Sequence, residues 1–152
     1  MSEMALDAVY LRRCLELARL ALAAGDVPVG ALVTHAGRVI GEGCERTREC
    51  LDPTAHAEVG AIRNACRALG TFDLSCATLY TTVEPCVLCA YAIRRTRIGR
   101  VVFGVNAGTL GGATGPYSLL TDPTSVMNSA PPSVQAGVLA EECAALLAEY
   151  RT

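Results

Sequence analysis

The chain has 152 residues, which is long enough for one domain with a sizeable hydrophobic core, and we predict a single domain over residues 1–152. Its formal net charge is −2 at pH 7 and its pI is about 5.7. These values argue against a protein that binds nucleic acid mainly through its phosphates, because such proteins usually carry an excess of basic residues. An apolar fraction of 51% is high for a soluble monomer and favours burial of part of the surface against a second subunit.

The cysteine content indicates a reducing compartment. The chain has eight cysteines and no signal peptide, so we expect a cytoplasmic protein whose thiols stay free or bind metal. The longest apolar segments carry charges, as the first helix does with Arg12, Arg13 and Glu16, and we therefore expect no segment that crosses a membrane.

The first third of the chain predicts a helix and a hairpin. Apolar residues recur at helical spacing over residues 6–24, which indicates an amphipathic helix. Residues 27–41 predict a β-hairpin with its turn at 35–37. Gly30 and Ala31 are small residues in the first strand, which indicates close approach of either a ligand or a packed helix.

The middle of the chain predicts an irregular stretch that is followed by a helix. Residues 43–51 are polar and irregular, and Asp52-Pro53-Thr54 then signals a helix that runs to about residue 69, with His56 and Glu58 in its first turn. The positive end of a helix favours a neutral imidazole and an ionised carboxylate there.

The second half continues the alternation of strands and helices. The predicted order is a strand at 77–83, a helix at 85–94, a strand at 101–105, a long loop at 106–133 and a closing helix at 137–151. The loop is too long for an ordinary connection, so we expect either a functional flap or a loop that contacts a partner. This order predicts a mixed sheet with helices on both faces.

Three side chains in two short runs have the residue types and the spacing that are typical of a zinc site. His56 is followed thirty positions later by Cys86 and Cys89, which lie one helical turn apart. An imidazole and two thiolates are ligands that zinc prefers, and three protein ligands leave a fourth position open for water. Glu58 follows His56 by two residues, so we predict that it lies over this water and carries protons.

The chemistry that fits this set of residues is hydrolytic deamination. Zinc lowers the pKa of its water to near neutrality, Glu58 takes a proton, and the hydroxide adds to a ring carbon from which ammonia then leaves. Zn²⁺ is the expected cofactor, and no organic cofactor is expected. The alternative is a zinc-stabilised binding module, which would close the fourth position and give Glu58 no role.

The run H-x-E and the run P-C-x-x-C occur together with further matching segments. These segments are DVPVGA at 26–31, DPTAHAE at 52–58, TLYTTVEPC at 78–86, RIGRVVFG at 97–104 and GVLAEECA at 137–144. On them the chain resembles the cytidine and deoxycytidylate deaminase superfamily, and in particular the branch of tRNA adenosine deaminases, guanine deaminases and cytosine deaminases. The resemblance implies a three-layer α/β/α sandwich around a mixed central sheet, and a homodimer or larger assembly.

The resemblance also implies roles for particular residues. His56, Cys86 and Cys89 would bind zinc, Glu58 would shuttle protons, and the Ala57 amide would help to hold the base. We predict a free nucleobase or nucleoside as substrate, and we keep the wobble adenosine of a tRNA as the alternative.

Two departures from the family pattern bear on the substrate. Many members of the branch carry Asn after the hairpin, where this chain has Glu45, and a carboxylate accepts hydrogen bonds but cannot donate them. Glu45 therefore either faces a ring N–H or amino group of a donor-rich base, or it is a solvated loop residue. The last helix also lacks the basic tail expected of a tRNA enzyme.

One local feature keeps the tRNA alternative open. Four arginines lie close together in sequence, at Arg94, Arg95, Arg97 and Arg100. They form either an RNA-binding patch or a solvated helix end and subunit contact.

Overall fold

A five-stranded mixed sheet forms the centre of the protein, in a computed structural model that describes residues 1–124 and 129–150. The strands are β1 (Gly30–His35), β2 (Arg38–Cys44), β3 (Ala77–Val83), β4 (Arg100–Val105) and β5 (Ser133–Gln135). Their spatial order is β2-β1-β3-β4-β5, with β1 antiparallel to both of its neighbours and β3, β4 and β5 mutually parallel. The mixed sheet predicted from the element order is therefore confirmed.

Helices cover both faces of the sheet. They are α1 (Glu3–Ala23), α2 (Thr47–Cys50), α3 (Ala57–Leu69), α4 (Val87–Thr96) and α5 (Ala140–Ala148), with a short 3₁₀ turn at Gly108–Leu110. Because side chains alternate across a strand, Leu79 and Phe103 pack under α3 and α4, whereas Tyr80 and Val102 pack under α1 and α5. The result is the three-layer α/β/α sandwich that the family resemblance implied. Within residues 1–124 and 129–150, no helix is both long and apolar enough to cross a membrane.

Gly30 lets α1 pack closely on β1. A Cβ at this position would collide with the carbonyl oxygen of Cys14 and press on the amide nitrogen of Ala18. Of the two explanations that the sequence left open for Gly30, helix packing accounts for this glycine, and its surroundings give no support to a substrate contact.

The strand β5 was not predicted. Its three residues lie in a segment rich in Pro, Ser and Ala, for which local composition indicates a loop. The strand exists because Arg100, Val101 and Val102 of β4 offer it a parallel partner. Part of the predicted loop, residues 125–128, lies outside the described residues.

The closing helix is shorter than predicted. We predicted 137–151, but α5 begins at Ala140 because Gly137 and Leu139 adopt left-handed conformations, with φ of 81° and 52°. The amides of Gly137 and Val138 instead donate to carbonyl oxygens of β4. Residue 151 lies outside the described part of the chain.

Candidate metal centre and active site

The candidate ligands lie at the start of α3 and of α4. His56 is the N-cap of α3 and Cys86 is the N-cap of α4, both with extended backbone conformations. The predictions set His56 inside the first turn and began the second helix at Pro85, so both helices start one or two residues later than predicted. Cys89 lies in the first turn of α4, three residues after Cys86, which brings both sulfurs to the same helix end.

Two glycines of β2 bring the start of α3 close to the sheet. A Cβ at Gly43 would collide with the carbonyl oxygen of Ala57, and a Cβ at Gly41 would collide with that of Ala61. The small residues therefore allow the helix backbone to lie directly on the strand. This close packing sets the position of His56 relative to the sheet.

The three donor atoms are close enough together to share one metal ion. The Nδ1 atom of His56 lies 3.5 Å from the Cys86 sulfur and 3.4 Å from the Cys89 sulfur, and all three donors lie within 4.8 Å of one another. Tetrahedral zinc with its usual Zn–N and Zn–S bond lengths requires nitrogen–sulfur distances of about 3.5 Å. The residues present therefore fit a zinc ion.

Contacts among the three candidate ligands shift their pKa values in different directions. The hydrogen bond from Cys89, reinforced by His56, lowers the pKa of the Cys86 thiol to about 4. The same hydrogen bond, together with burial, raises the pKa of Cys89. The contact with Cys86 raises the pKa of His56 to about 9. Because metal ligands must lose their protons, a divalent cation would take the place of these protons.

Glu58 is buried beside the ligands. Its side chain is only 4% exposed, and burial raises its pKa above the usual value for glutamate. Its Oε1 accepts a hydrogen bond from the Thr81 hydroxyl at 2.9 Å, and its Oε2 accepts one from the Cys89 thiol at 3.4 Å. The carboxyl group thus lies between the sheet and the metal ligands.

The predicted substrate contacts are only partly brought together. Glu45 is partly buried, and its carboxylate accepts a hydrogen bond from the Ala57 amide at 3.2 Å. Burial, together with the charge of Glu58, raises the pKa of Glu45 to about 7. Ala31 of β1 pairs with Thr81 of β3, and its side chain lies on the face of the sheet that is covered by α3, the helix that contains Glu58. Gly30 instead faces α1. Glu45 is therefore more than a solvated loop residue.

Glu84 is a buried anchor that sequence reasoning missed. Its carboxylate accepts hydrogen bonds from the amides of Ala107, Ala113 and Thr114, at 3.0, 2.9 and 2.7 Å. Burial opposes its ionisation, but these amide donors outweigh that effect and hold the pKa of Glu84 below its usual value. The stretch 107–114 is thereby fixed next to Cys86. Its position directly before the Pro-Cys run was the available signal.

The arginine cluster does not form one surface. Arg94 is only 1% exposed, and its guanidinium donates to the carbonyl oxygens of Leu119, Asp122 and Ser129 at 2.8–2.9 Å. Arg100 forms an ion pair with the buried Asp7 at 2.7 Å. Both arginines stabilise the fold, and neither is available to a nucleic acid.

Other arginines lie next to the candidate site. A cavity of about 450 Å³ borders His56 and is lined in part by Arg46, Arg63 and Arg67. Arg46 forms an ion pair with Glu49 at the rim. The cavity therefore lies beside one of the three candidate ligands, and Glu42 and Asp52 line it together with the arginines.

Comparison with known proteins identifies a family. Residues 4–105 match the model of the cytidine and deoxycytidylate deaminase zinc-binding region. A tRNA-specific adenosine deaminase of Haemophilus influenzae is 42% identical over 145 residues, which are 95% of this chain and 82% of the relative.

Solved structures agree with that match. A structure from a study of A-to-I editing by tRNA:A34 deaminases at the wobble position of transfer RNA has a TM-score of 0.84 and 39% identity, over 90% of this chain and 97% of that one. A guanine deaminase from Nitrosomonas europaea has a TM-score of 0.79 and 27% identity, over 94% of this chain and 83% of that one. The predicted fold and the predicted zinc cofactor are confirmed.

Proposed function

The chain belongs to the cytidine and deoxycytidylate deaminase family, and from this membership we propose that it hydrolyses the exocyclic amine of the wobble adenosine in a tRNA anticodon, which yields inosine and ammonia. Similarity over nearly the whole chain to tRNA-specific adenosine deaminases carries the proposal. From composition and from Glu45 we predicted a free base, with tRNA as the alternative. These relatives support the alternative better than the free base. The net charge pointed the other way because it is a sum over the whole chain and does not show that arginines line one cavity.

The chain's own residues supply binding and proton transfer. We propose that His56, Cys86 and Cys89 would hold zinc, which when bound would supply a water of lowered pKa. Glu58 would take one proton from the attacking water and give it to a ring nitrogen, and would then carry the second proton from the added hydroxyl group to the leaving amine. One carbon–oxygen bond replaces one carbon–nitrogen bond, so water is consumed and ammonia is released.

The cavity beside His56 suits a polynucleotide. Arg46, Arg63 and Arg67 would contact the phosphates that flank a base inserted toward the metal. If each arginine neutralises one phosphate, affinity for a stem-loop should fall about 20-fold between roughly 50 and 200 mM salt. A small neutral substrate would not have this dependence.

A second candidate function rests on Glu45. Its carboxylate is fixed by the Ala57 amide, at the position where the family resemblance implies an Asn that contacts the substrate. In its ionised form this carboxylate accepts hydrogen bonds only, which favours guanine, isocytosine or an aminotriazine over adenine, whereas in its protonated form it can also donate. Deamination of such a free base is therefore the second candidate.

The test of both candidates is ammonia release across a substrate panel. The zinc-loaded protein is given an anticodon stem-loop RNA with adenosine at the wobble position, and separately cytosine, isocytosine, guanine, adenine, their nucleosides and aminotriazines. We expect turnover of the stem-loop, with inosine in the digested RNA. Turnover of a free base without the RNA would contradict the tRNA proposal and support the second candidate.

The variant Glu45→Gln separates the two candidates further. An amide also donates, so it can bind an acceptor such as a ring nitrogen of adenine. We expect kcat/KM on the wobble adenosine of the stem-loop to rise about tenfold, because the amide can donate to a ring nitrogen that a carboxylate cannot bind. We expect kcat/KM on donor-rich bases to fall by a similar factor, because the charged acceptor that binds their N–H groups is lost. Glu141→Gln, an exposed change on α5, is the control. Equal loss on all substrates would remove Glu45 as a determinant of specificity.

We propose that the protein is a homodimer through the face formed by α3 and α4. Phe72 and Tyr91 are 68% and 48% exposed and line a largely apolar groove between these helices. The groove shares Arg63 and Arg67 with the cavity beside His56, so the proposed interface and the proposed RNA contacts adjoin each other. A second copy of the chain is the occupant that the high apolar fraction and the family resemblance favour. We expect sedimentation equilibrium to give twice the 15.9 kDa chain mass, and Tyr91→Arg to give the monomer. A monomeric parent protein would contradict this interface.

A further inference from the structure

We infer that Thr81 is a positioning residue for the proton carrier, with its hydroxyl holding Oε1 of Glu58 so that Oε2 faces the metal ligands. The inference rests on the proposed deaminase function of the same site. Thr81 does not touch the candidate metal ligands, and its role is exerted through Glu58.

The location of Thr81 makes its hydroxyl unusual. Its row of side chains on β3 faces α3 and α4, and the other members of the row are Ala77, Leu79 and Val83. Thr81 is completely buried, with 0% exposure. Valine has the same shape and suits a buried strand as well, so packing alone does not call for a hydroxyl here.

The hydroxyl has two acceptors within reach and one hydrogen to donate. Its oxygen lies 2.9 Å from Oε1 of Glu58 and 3.1 Å from the carbonyl oxygen of Val83. A carboxylate is the stronger acceptor, because hydrogen bonds to ionised groups are shorter and stronger than neutral ones. We therefore assign the hydrogen to Glu58.

Zinc binding makes this contact more important. Glu58 also accepts a hydrogen bond from the thiol of Cys89. A cysteine that ligates zinc is a thiolate and has no hydrogen to donate. Among residues 1–124 and 129–150, Thr81 is then the remaining side chain that donates to Glu58.

The two oxygens of Glu58 consequently have different tasks. Oε1 is held against the sheet by Thr81, and Oε2 lies on the side of Cys89, so Oε2 is the oxygen that takes and returns protons. A carboxyl group without this anchor could turn about its last bond. General acid–base catalysis requires the atom that accepts the proton to lie within about 2.6–3.2 Å of the atom that donates it. Rotation of the carboxyl group would lengthen this distance and slow the reaction.

The experiment compares Thr81→Val, Thr81→Ser and the parent protein, all zinc-loaded, on whichever panel substrate the parent turns over. Valine removes the hydroxyl and keeps the shape, and we expect kcat to fall about 10- to 100-fold with KM unchanged. Serine keeps the hydroxyl, and we expect it to preserve kcat. Thr82→Val is the matched control, because Thr82 faces the opposite side of the sheet, where it accepts from the Gly30 amide.

Two readouts do not depend on activity. Zinc content should be equal in all variants, and crystal structures should show the Glu58 carboxylate displaced in Thr81→Val but in place in Thr81→Ser. Unchanged kcat in Thr81→Val, equal loss in Thr81→Ser, or an undisplaced Glu58 would overturn the inference. A parent protein without turnover would contradict the proposed function instead, and the crystal structures would still decide the role of Thr81.

Discussion

The Glu58→Gln variant should lose deaminase activity by about 10²- to 10⁴-fold while it retains zinc, since that is the usual contribution of a positioned general acid–base. Glutamine has nearly the same shape and can still accept the hydrogen bond from Thr81, which lies 2.9 Å from Oε1 in the parent. It cannot carry a proton between water and substrate. The expected loss is therefore in kcat and not in the binding of metal.

The measurement is single-turnover ammonia release together with metal analysis of the same sample. Glu141→Gln, a glutamate-to-glutamine change at an exposed position of α5, is the control and should behave like the parent. Full activity in Glu58→Gln would assign proton transfer to another group. Loss of activity with zinc retained would also exclude the zinc-stabilised binding module, in which Glu58 has no role.

Arg94→Met should lower the free energy of unfolding by about 3 kcal/mol, the largest effect on stability that we expect from a single change outside the metal site. Methionine fills much of the same volume but donates no hydrogen bonds. The carbonyl oxygens of Leu119, Asp122 and Ser129 would lose their donor in a buried environment. The segment after the 3₁₀ turn would then be held less firmly against α4.

Urea unfolding of the zinc-loaded protein measures this effect. Arg12→Met is the matched control, because Arg12 is also helical but exposed, and we expect its change to stay within about 0.5 kcal/mol. Equal stability of the Arg94→Met and Arg12→Met variants would contradict the structural role of Arg94. It would also reopen the interpretation of this arginine as part of a binding surface.

The contrast between Arg94 and its neighbours explains why the arginine cluster was misinterpreted. The four residues are close in sequence, but a helix turns its side chains by about 100° per residue, and Arg97 has a left-handed conformation with φ of 63°. Successive arginines therefore point to different surroundings. Sequence spacing alone could not distinguish a buried guanidinium from an exposed one.

The metal centre is the part of the molecule that the sequence by itself determined. His56, Cys86 and Cys89 have the residue types and the spacing that zinc requires, and Cys86 and Cys89 are close because they lie on one helical turn. The alternation of strands and helices likewise follows from local periodicity, which is why a mixed sheet with helices on both faces could be predicted.

Only the tertiary structure decided what surrounds that centre. The contact of Thr81 with Glu58, the hydrogen bond of Glu45 to the Ala57 amide and the pairing of β5 with β4 each join segments that are distant along the chain. Such contacts depend on how the strands and helices pack, as they do where α3 lies against Gly43, and local composition does not specify which distant residues then meet. The physical reason is that ligand type and helical spacing are local properties, whereas burial and hydrogen-bond partners exist only after the layers have packed.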